Sequence, residues 1–419
     1  MNFRNKFFER FPALSSRDFQ IFWFGQFISL TGTWMQSTTQ PYLAYQLTGR
    51  PFDLGLIGFA VTLPTLFLAL PAGVLVERLD KRKTVIALQI MMMFQALALA
   101  ALTLSGLIQL WHIVVLSLVL GVANAVEITA RQAMLIELVG RERLPNAIAL
   151  QATIFNAARV LGPTLVAPFL ILIENDGAGW AFLANGISYL FVVAGLFYAK
   201  TPFKETYQPK SQKLIEGLRE GQQYIFATPS IGMLIVMATI VGVIGFPFVQ
   251  QIPAFARDVL AQVGDTDAAI AARNSAMYTF QGIGALVAAV ILAAYNPRRK
   301  GWLLTFGQAA FILSLIGLGL TRTTNLALML MVTLGWGTVT QLTTMNTLVQ
   351  LQVPNELRGR VFAVYLWSLQ GIAPFGSILI GVLAQNWGVS AAALICGGVA
   401  LLAIGAIHLR NPFIRETVV

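Results

Sequence analysis

Glu127 and Arg159 are ionisable side chains set inside long apolar runs, and Arg131 stands at the end of one of them. A charge at the centre of a bilayer costs roughly 2.5–3.5 kcal/mol on insertion scales, so such groups face a partner or a hydrated cavity. Arg131 follows Glu127 by one helical turn, on the same face. Arg159 lies roughly 13 residues into the next apolar run, about 20 Å along a helix. That run travels the opposite way, so folding the two about their loop brings Glu127 near the level of Asn156, one turn from Arg159. The spacing therefore predicts a Glu127–Arg131–Arg159 cluster. Two uses fit it: a proton-coupling or solute-binding site with Glu127 as the titratable member, or a static ion pair fastening two helices. Asp18, beside Arg17 at the mouth of the first run, reads as an interfacial helix start.

The elements that must hold these groups are twelve apolar stretches, each near the roughly 20 residues a helix needs to cross a hydrocarbon core. They run from Asp18 to Gln46, Leu54 to Val76, Thr84 to Leu107, Leu110 to Gln132, Asn146 to Ile173 and Trp180 to Ala199. The second six run from Ile231 to Ala256, Ser275 to Tyr295, Trp302 to Leu320, Asn325 to Thr347, Arg360 to Asn386 and Ser390 to Leu409. Hydrophobic residues make up 57% of the 419 and charged residues 11%, which excludes an ordinary soluble domain. The first stretch is too long for a cleaved signal core and is expected to be retained. The fold class is thus an all-α integral membrane protein.

Charge gives the orientation. With the first residues cytoplasmic, 23 Lys and Arg fall on cytoplasmic segments, against Arg50, Arg257, Arg273 and Arg322 outside. That bias follows the positive-inside rule, expects both termini inside, and accounts for the net charge of +10 without nucleic acid. An internal repeat is also present. At an offset of 214, Val139 pairs with Val353, Glu142 with Glu356 and Gly162 with Gly376, and Lys81-Arg-Lys83 and Arg298-Arg-Lys300 follow spans two and eight. The expected organisation is a six-helix bundle over 1–199, a linker over 200–229 and a second bundle over 230–419. Leu214, Leu218, Tyr224 and Ile225 suggest an amphipathic helix along the cytoplasmic surface within the linker. Two parallel six-helix repeats about a midplane site are a secondary-transporter architecture.

Gly73-Val-Leu-Val-Glu77-Arg78-Leu-Asp80-Lys81-Arg82-Lys83 resembles the GxxxDRxGRR loop signature of the major facilitator superfamily. Glu77 stands where that family usually has Asp, and Asp80 where the pattern has Gly. Gly32-Thr-Trp34-Met-Gln36, Ala130-Arg131-Gln132-Ala133, Glu137 to Asn146, Asn156-Ala-Ala-Arg159-Val-Leu-Gly162-Pro163 and Val353 to Arg360 resemble the branch of the enterobactin exporter and transmembrane secretion effectors. The resemblance implies two pseudo-symmetric six-helix bundles working by alternating access. It also implies that Gly73, Glu77, Arg78, Asp80 and Arg82 form a latch closing the cytoplasmic side. Exporters of the superfamily carry GxxxGPxxGG in span five. Here Gly162 and Pro163 remain while Ala158, Val166 and Ala167 take other glycine positions, and an antiporter-type kink is expected at 162–163.

Polarity separates the spans further. Spans three, six, nine and twelve carry no acidic residue, and in the superfamily these are the outer, lipid-facing helices. Thr33, Gln36, Asn124, Asn156, Gln250, Gln281, Gln341, Trp367 and Gln370 are the candidates for lining a wet, mostly uncharged cavity suited to an amphipathic or aromatic solute. No enzyme emerges: His112 and His408 are far apart, no GxxxxGK[ST] loop occurs, and no metal or cofactor is expected. An ion gradient is left as the driving force. The expectation is a proton-coupled exporter of siderophores or amphipathic toxic compounds in a bacterial inner membrane. It would act as a monomer on small molecules, protons and lipid. An importer or lipid flippase on the same fold, or a non-transporting sensor, is the alternative.

Overall fold

A computed structural model describes residues 11–173, 176–199, 201, 214–295 and 299–411, with backbone alone at 70, 73, 74, 77 and 214–218. Among the described residues the chain is helical and has no strand. The helices are α1 (Arg17–Thr48), α2 (Pro51–Arg78), α3 (Lys81–Leu104), α4 (Leu110–Val139), α5 (Leu144–Leu172), α6 (Gly177–Tyr198) and α7 (Leu214–Ala227). They continue as α8 (Pro229–Val249), α9 (Asp267–Tyr295), α10 (Lys300–Leu320), α11 (Thr324–Gln352), α12 (Asn355–Leu366) and α13 (Ala373–Arg410). Single wide turns, Phe255–Val259 and Trp367–Gly371, interrupt the helical ladder beyond α8 and between α12 and α13.

Among the described residues, ten segments are long and apolar enough to cross a membrane. α1 is not among them, because its Gln, Thr and Ser content dilutes its apolarity, although its 32 residues exceed the length required. The last of the ten, Asn355–Arg410, is 56 residues long. Within it Gly388 takes φ +82°, ψ 155°, a left-handed conformation that breaks the helical direction.

The chain divides into two compact units, Met1–Gln40 with Phe67–Pro209, and Pro41–Leu66 with Lys210–Val419. The first unit is held by Phe19, Phe22, Val85, Met134, Leu135 and Leu196. α1 and α5 approach closely at Gly162, where an added Cβ would lie 2.9 Å from the Met35 nitrogen and against the Trp34 side chain. α5 runs unbroken through Pro163, whose missing N–H leaves the Arg159 carbonyl without its helical donor.

The second unit is held by Phe248, Phe255, Tyr278, Phe311, Leu315 and Ile380, and by a further cluster around Met237, Val349, Val361 and Tyr365. α9 and α11 cross through facing glycines. An added Cβ on Gly284 would overlap the Val332 carbonyl, and one on Gly335 the Gln281 carbonyl. The linker helix α7 is turned toward protein. Ile225 is buried with Val361 and Tyr365, Gly221 lies against the Arg360 backbone, and Glu220 pairs with Arg360. Its Leu214 and Leu218 side chains lie outside the described set.

Candidate substrate and coupling site

Glu127 is buried at 4% exposure in the middle of the first unit, and its neighbours come from three helices. Arg131, one turn along α4, places Nε 3.0 Å from Oε1 and 3.3 Å from Oε2. Gln89 of α3 donates Nε2–H to the same Oε1 at 3.0 Å, and its own Oε1 accepts from Ser29 of α1 at 3.5 Å. The carboxylate therefore receives charge-assisted donors on both sides, the arrangement that makes a buried ion tolerable.

Seven residues along α1, about 10 Å at 1.5 Å per residue, a second polar layer crosses the same bundle. Gln36 accepts from Asn185 at 2.7 Å and donates to Gln40 and Gln95, each at 3.1 Å. Gln40 donates onward to Ser117. Thr33 bonds the Tyr189 hydroxyl at 3.2 Å between the layers. Gln36 is thus enclosed inside the bundle, while Thr33 is half-buried and engaged with Tyr189. α3 and α6 turn Gln89, Gln95 and Asn185 inward while exposing Phe94, Phe191 and Phe197 on the opposite face. They are more than lipid-facing staves.

Arg159 does not join Glu127 and Arg131. Its guanidinium stands 5.4 Å over the Trp34 ring, its Nε is buried without a hydrogen-bond partner, and it makes no ion pair among the described residues. The expected cluster of three is not formed: Glu127 turns toward Gln89, while Arg159 turns toward α1. Asn156 hydrogen-bonds its own helix at the Ala152 carbonyl, 2.8 Å away, and Asn124 is half-buried.

At the loop signature, Asp80 caps α3 by accepting from the Lys83 amide at 2.9 Å, which gives a local reason for Asp where the pattern has Gly. Lys81 forms a buried pair with Glu137 of α4, and Arg82 donates to the Phe197 carbonyl of α6 at 2.9 Å. Arg78 is exposed; the side chain of Glu77, and the surroundings of Gly73, lie outside the described set. Asp18 accepts both the amide (2.8 Å) and the hydroxyl (2.6 Å) of Thr201.

In the second unit Gln281 and Gln341 are enclosed, at 2% and 0% exposure, so neither faces open space. The Gln281 amide nitrogen and both Gln341 amide atoms have no hydrogen-bond partner. Gln250 is half-buried and Gln370 exposed. Trp367, 39% exposed, donates to the Leu66 carbonyl at 3.4 Å. The C-terminal end of α1 and the N-terminal end of α2 are fastened within this unit. Tyr45 hydrogen-bonds Asp258, Gln251 donates to the Pro51 carbonyl at 3.2 Å, and Gly55 lies against Gly381, 2.9 Å from an added Cβ to its Cα. Burial, opposed by the Tyr45 hydroxyl and Arg257, holds the Asp258 carboxyl above its ordinary 3.8.

The sequence model of the transmembrane secretion effector family matches residues 9–417. The chain belongs to this family of the major facilitator superfamily. It is 28% identical to an MFS-type transporter, YfiS, of Bacillus subtilis (strain 168), covering 94% of this chain and 92% of that one. It is 24% identical to the multidrug efflux pump Tap of Mycolicibacterium fortuitum, covering 90% and 91%. It is 25% identical to the enterobactin exporter EntS of Shigella flexneri, covering 93% and 90%. The fold matches the crystal structure of the nucleoside transporter NupG with a TM-score of 0.72 at 12% identity, over 94% of this chain and 98% of that one. This secretion-effector family member is therefore a multi-pass membrane transporter of small molecules, not an enzyme.

Sequence reasoning missed Gln89, Gln95, Asn185 and Ser117. The available signal was a lone amide in each of several apolar turns, since an amide in hydrocarbon is costly unless bonded.

Proposed function

We propose that this transporter is a proton-coupled exporter of small organic molecules in a bacterial inner membrane. It crosses twelve times, with both termini cytoplasmic, and works as a monomer. The count takes the ten apolar segments, adds α1 by its length, and divides Asn355–Arg410 at Gly388. Its working halves are 1–199 and 230–419, joined by 200–229, and they alternate access to a midplane site.

The observation that carries the proposal is Glu127, a carboxylate buried in a membrane bundle and held by Gln89 and Arg131. A static pair needs only Arg131. The added amide from α3, itself bonded to Ser29 of α1, ties the protonation state of Glu127 to the packing of three helices. Gaining or losing a proton there biases which face opens. The loop around Asp80, Lys81 and Arg82, bonded to α4 and α6, transmits that bias at the cytoplasmic end.

The test is reconstitution into proteoliposomes with an imposed pH gradient, using ethidium and 2,3-dihydroxybenzoate as probes and an acridine dye to report proton movement. Coupled proton flux upon probe addition, lost in Glu127→Gln, supports export by antiport. Probe movement down its own gradient with no proton flux favours the importer or flippase reading. No movement of either probe or protons across a wider solute panel leaves the proposal without its activity and rejects it.

A further inference from the structure

Arg159 lies near the midpoint of the 29-residue α5, roughly 20 Å from either end at 1.5 Å per residue. The Trp34 face lies 5.4 Å from the guanidinium, Phe155 packs edge-on against Trp34 at 5.7 Å, and Nε has no partner. The buried carboxylates of the same bundle are committed elsewhere, Glu127 to Arg131 and Gln89, and Glu137 to Lys81. A cation–π contact offsets only part of the desolvation of a guanidinium, and its fork is built to hold a planar anion. Lipid phosphates sit at the membrane interfaces, well beyond the reach of a side chain at mid-helix. No carboxylate among the described residues pairs with Arg159, which leaves its guanidinium open to an anionic group of a solute.

Gln151 and Phe155 precede Arg159 at four-residue intervals, so the three share one stripe of α5. Both amide atoms of Gln151 are buried and without a partner. A second polar anchor thus lies about 12 Å along the helix from the cation, with an aromatic wall between.

We propose that Arg159 is the charge anchor of a solute site on the α1–α5 face, taking organic anions whose carboxylate meets the guanidinium and whose aromatic or apolar body lies on Trp34 and Phe155. Gln151 engages a polar group at the far end. This deepens the export reading by naming a substrate class, and it rests on that reading only for the direction of movement.

Binding of 2-naphthoate and its neutral counterpart 2-naphthamide to the purified full-length protein, read by tryptophan fluorescence without any gradient, separates the two claims. Wild type is expected to favour the carboxylate by tenfold or more, as a charge-assisted bond demands. Arg159→Gln equalises the two affinities, Arg159→Lys keeps part of the preference, and Trp34→Leu weakens both. Gel filtration and thermal unfolding confirm that each variant folds, and the Lys variant carries the test where Gln does not. Equal affinities in wild type, or an unchanged ratio in Arg159→Gln, overturn the anion site whatever the proteoliposome flux shows. A retained preference with no proton-coupled flux leaves the site standing and rejects export.

Discussion

Gln89 reaches from α3 to Glu127 of α4 and donates to the oxygen that Arg131 also holds, both at 3.0 Å. Removing the carboxylate strands a largely buried guanidinium, so Glu127→Ala is expected to cost about 3–5 kcal/mol and to lower the unfolding temperature in detergent. Glu127→Gln retains the acceptor and folds, but transport loses its response to a pH gradient. Gln89→Leu removes one donor and spares the ion pair, so its stability loss is smaller, about 1–3 kcal/mol. If Glu127 is only a fastening, Glu127→Gln will slow no proton-coupled step.

Lys81 and Glu137 form the second buried pair of the first unit, at 11% and 4% side-chain exposure. Breaking one partner leaves an uncompensated charge. Glu137→Leu should therefore destabilise by about 3 kcal/mol, whereas adding Lys81→Met to it should recover most of that loss. A double variant no more stable than Glu137→Leu alone would mean that Lys81 carries the effect through other contacts. Thermal unfolding of the three proteins decides between them.

The Glu127–Arg131 pair was legible because a spacing of four residues fixes both height and face on one helix. The contact of Arg159 was not legible in this way. Residue number gives position along an axis but not the rotation of α5 against α4, and that rotation sends its guanidinium to Trp34. Gln36, Gln281 and Gln341 show a related limit: a polar stripe on an apolar helix looks the same whether it faces water or is enclosed by neighbouring helices. Burial at 2%, 2% and 0% separates the two cases. Asp80 departs from the loop pattern for a local reason, the N-cap of α3, which the four residues Asp80-Lys-Arg-Lys83 already contain.

Gly335 and Gly284 set the distance between α11 and α9, each in a place where a Cβ would overlap a carbonyl of the other helix. Gly335→Leu is expected to prevent that crossing and to lower the yield of folded protein. Gly335→Ala should cost at least the 1–3 kcal/mol of an overpacked core. Gly398, with no atom within 4 Å of an added Cβ, is the control. Gly398→Ala should be neutral or stabilise α13 by about 0.5–1 kcal/mol. Similar unfolding temperatures for the two alanine variants would contradict the packing argument.

Tyr45 and Asp258 predict a pH dependence with a definite sign. Burial raises the Asp258 carboxyl above 3.8, despite the opposing Tyr45 hydroxyl and Arg257, so the packed form binds its proton more tightly than the separated form. The packing of α1 onto the Phe255–Val259 turn is then fully supported below the ordinary carboxylate value. That support is lost as pH rises through the raised one. Opening at this contact should increase as the pH on its side of the membrane climbs from about 4 toward neutrality. The readout is maleimide labelling of Ala44→Cys, fully buried here, in a Cys396→Ser background, normalised to the exposed position Leu47→Cys at each pH. Asp258→Asn keeps a hydrogen-bonding group without the titration and should flatten the profile at its low-pH level. Labelling that falls with rising pH, or a slope that survives in Asp258→Asn, would assign the dependence to another group.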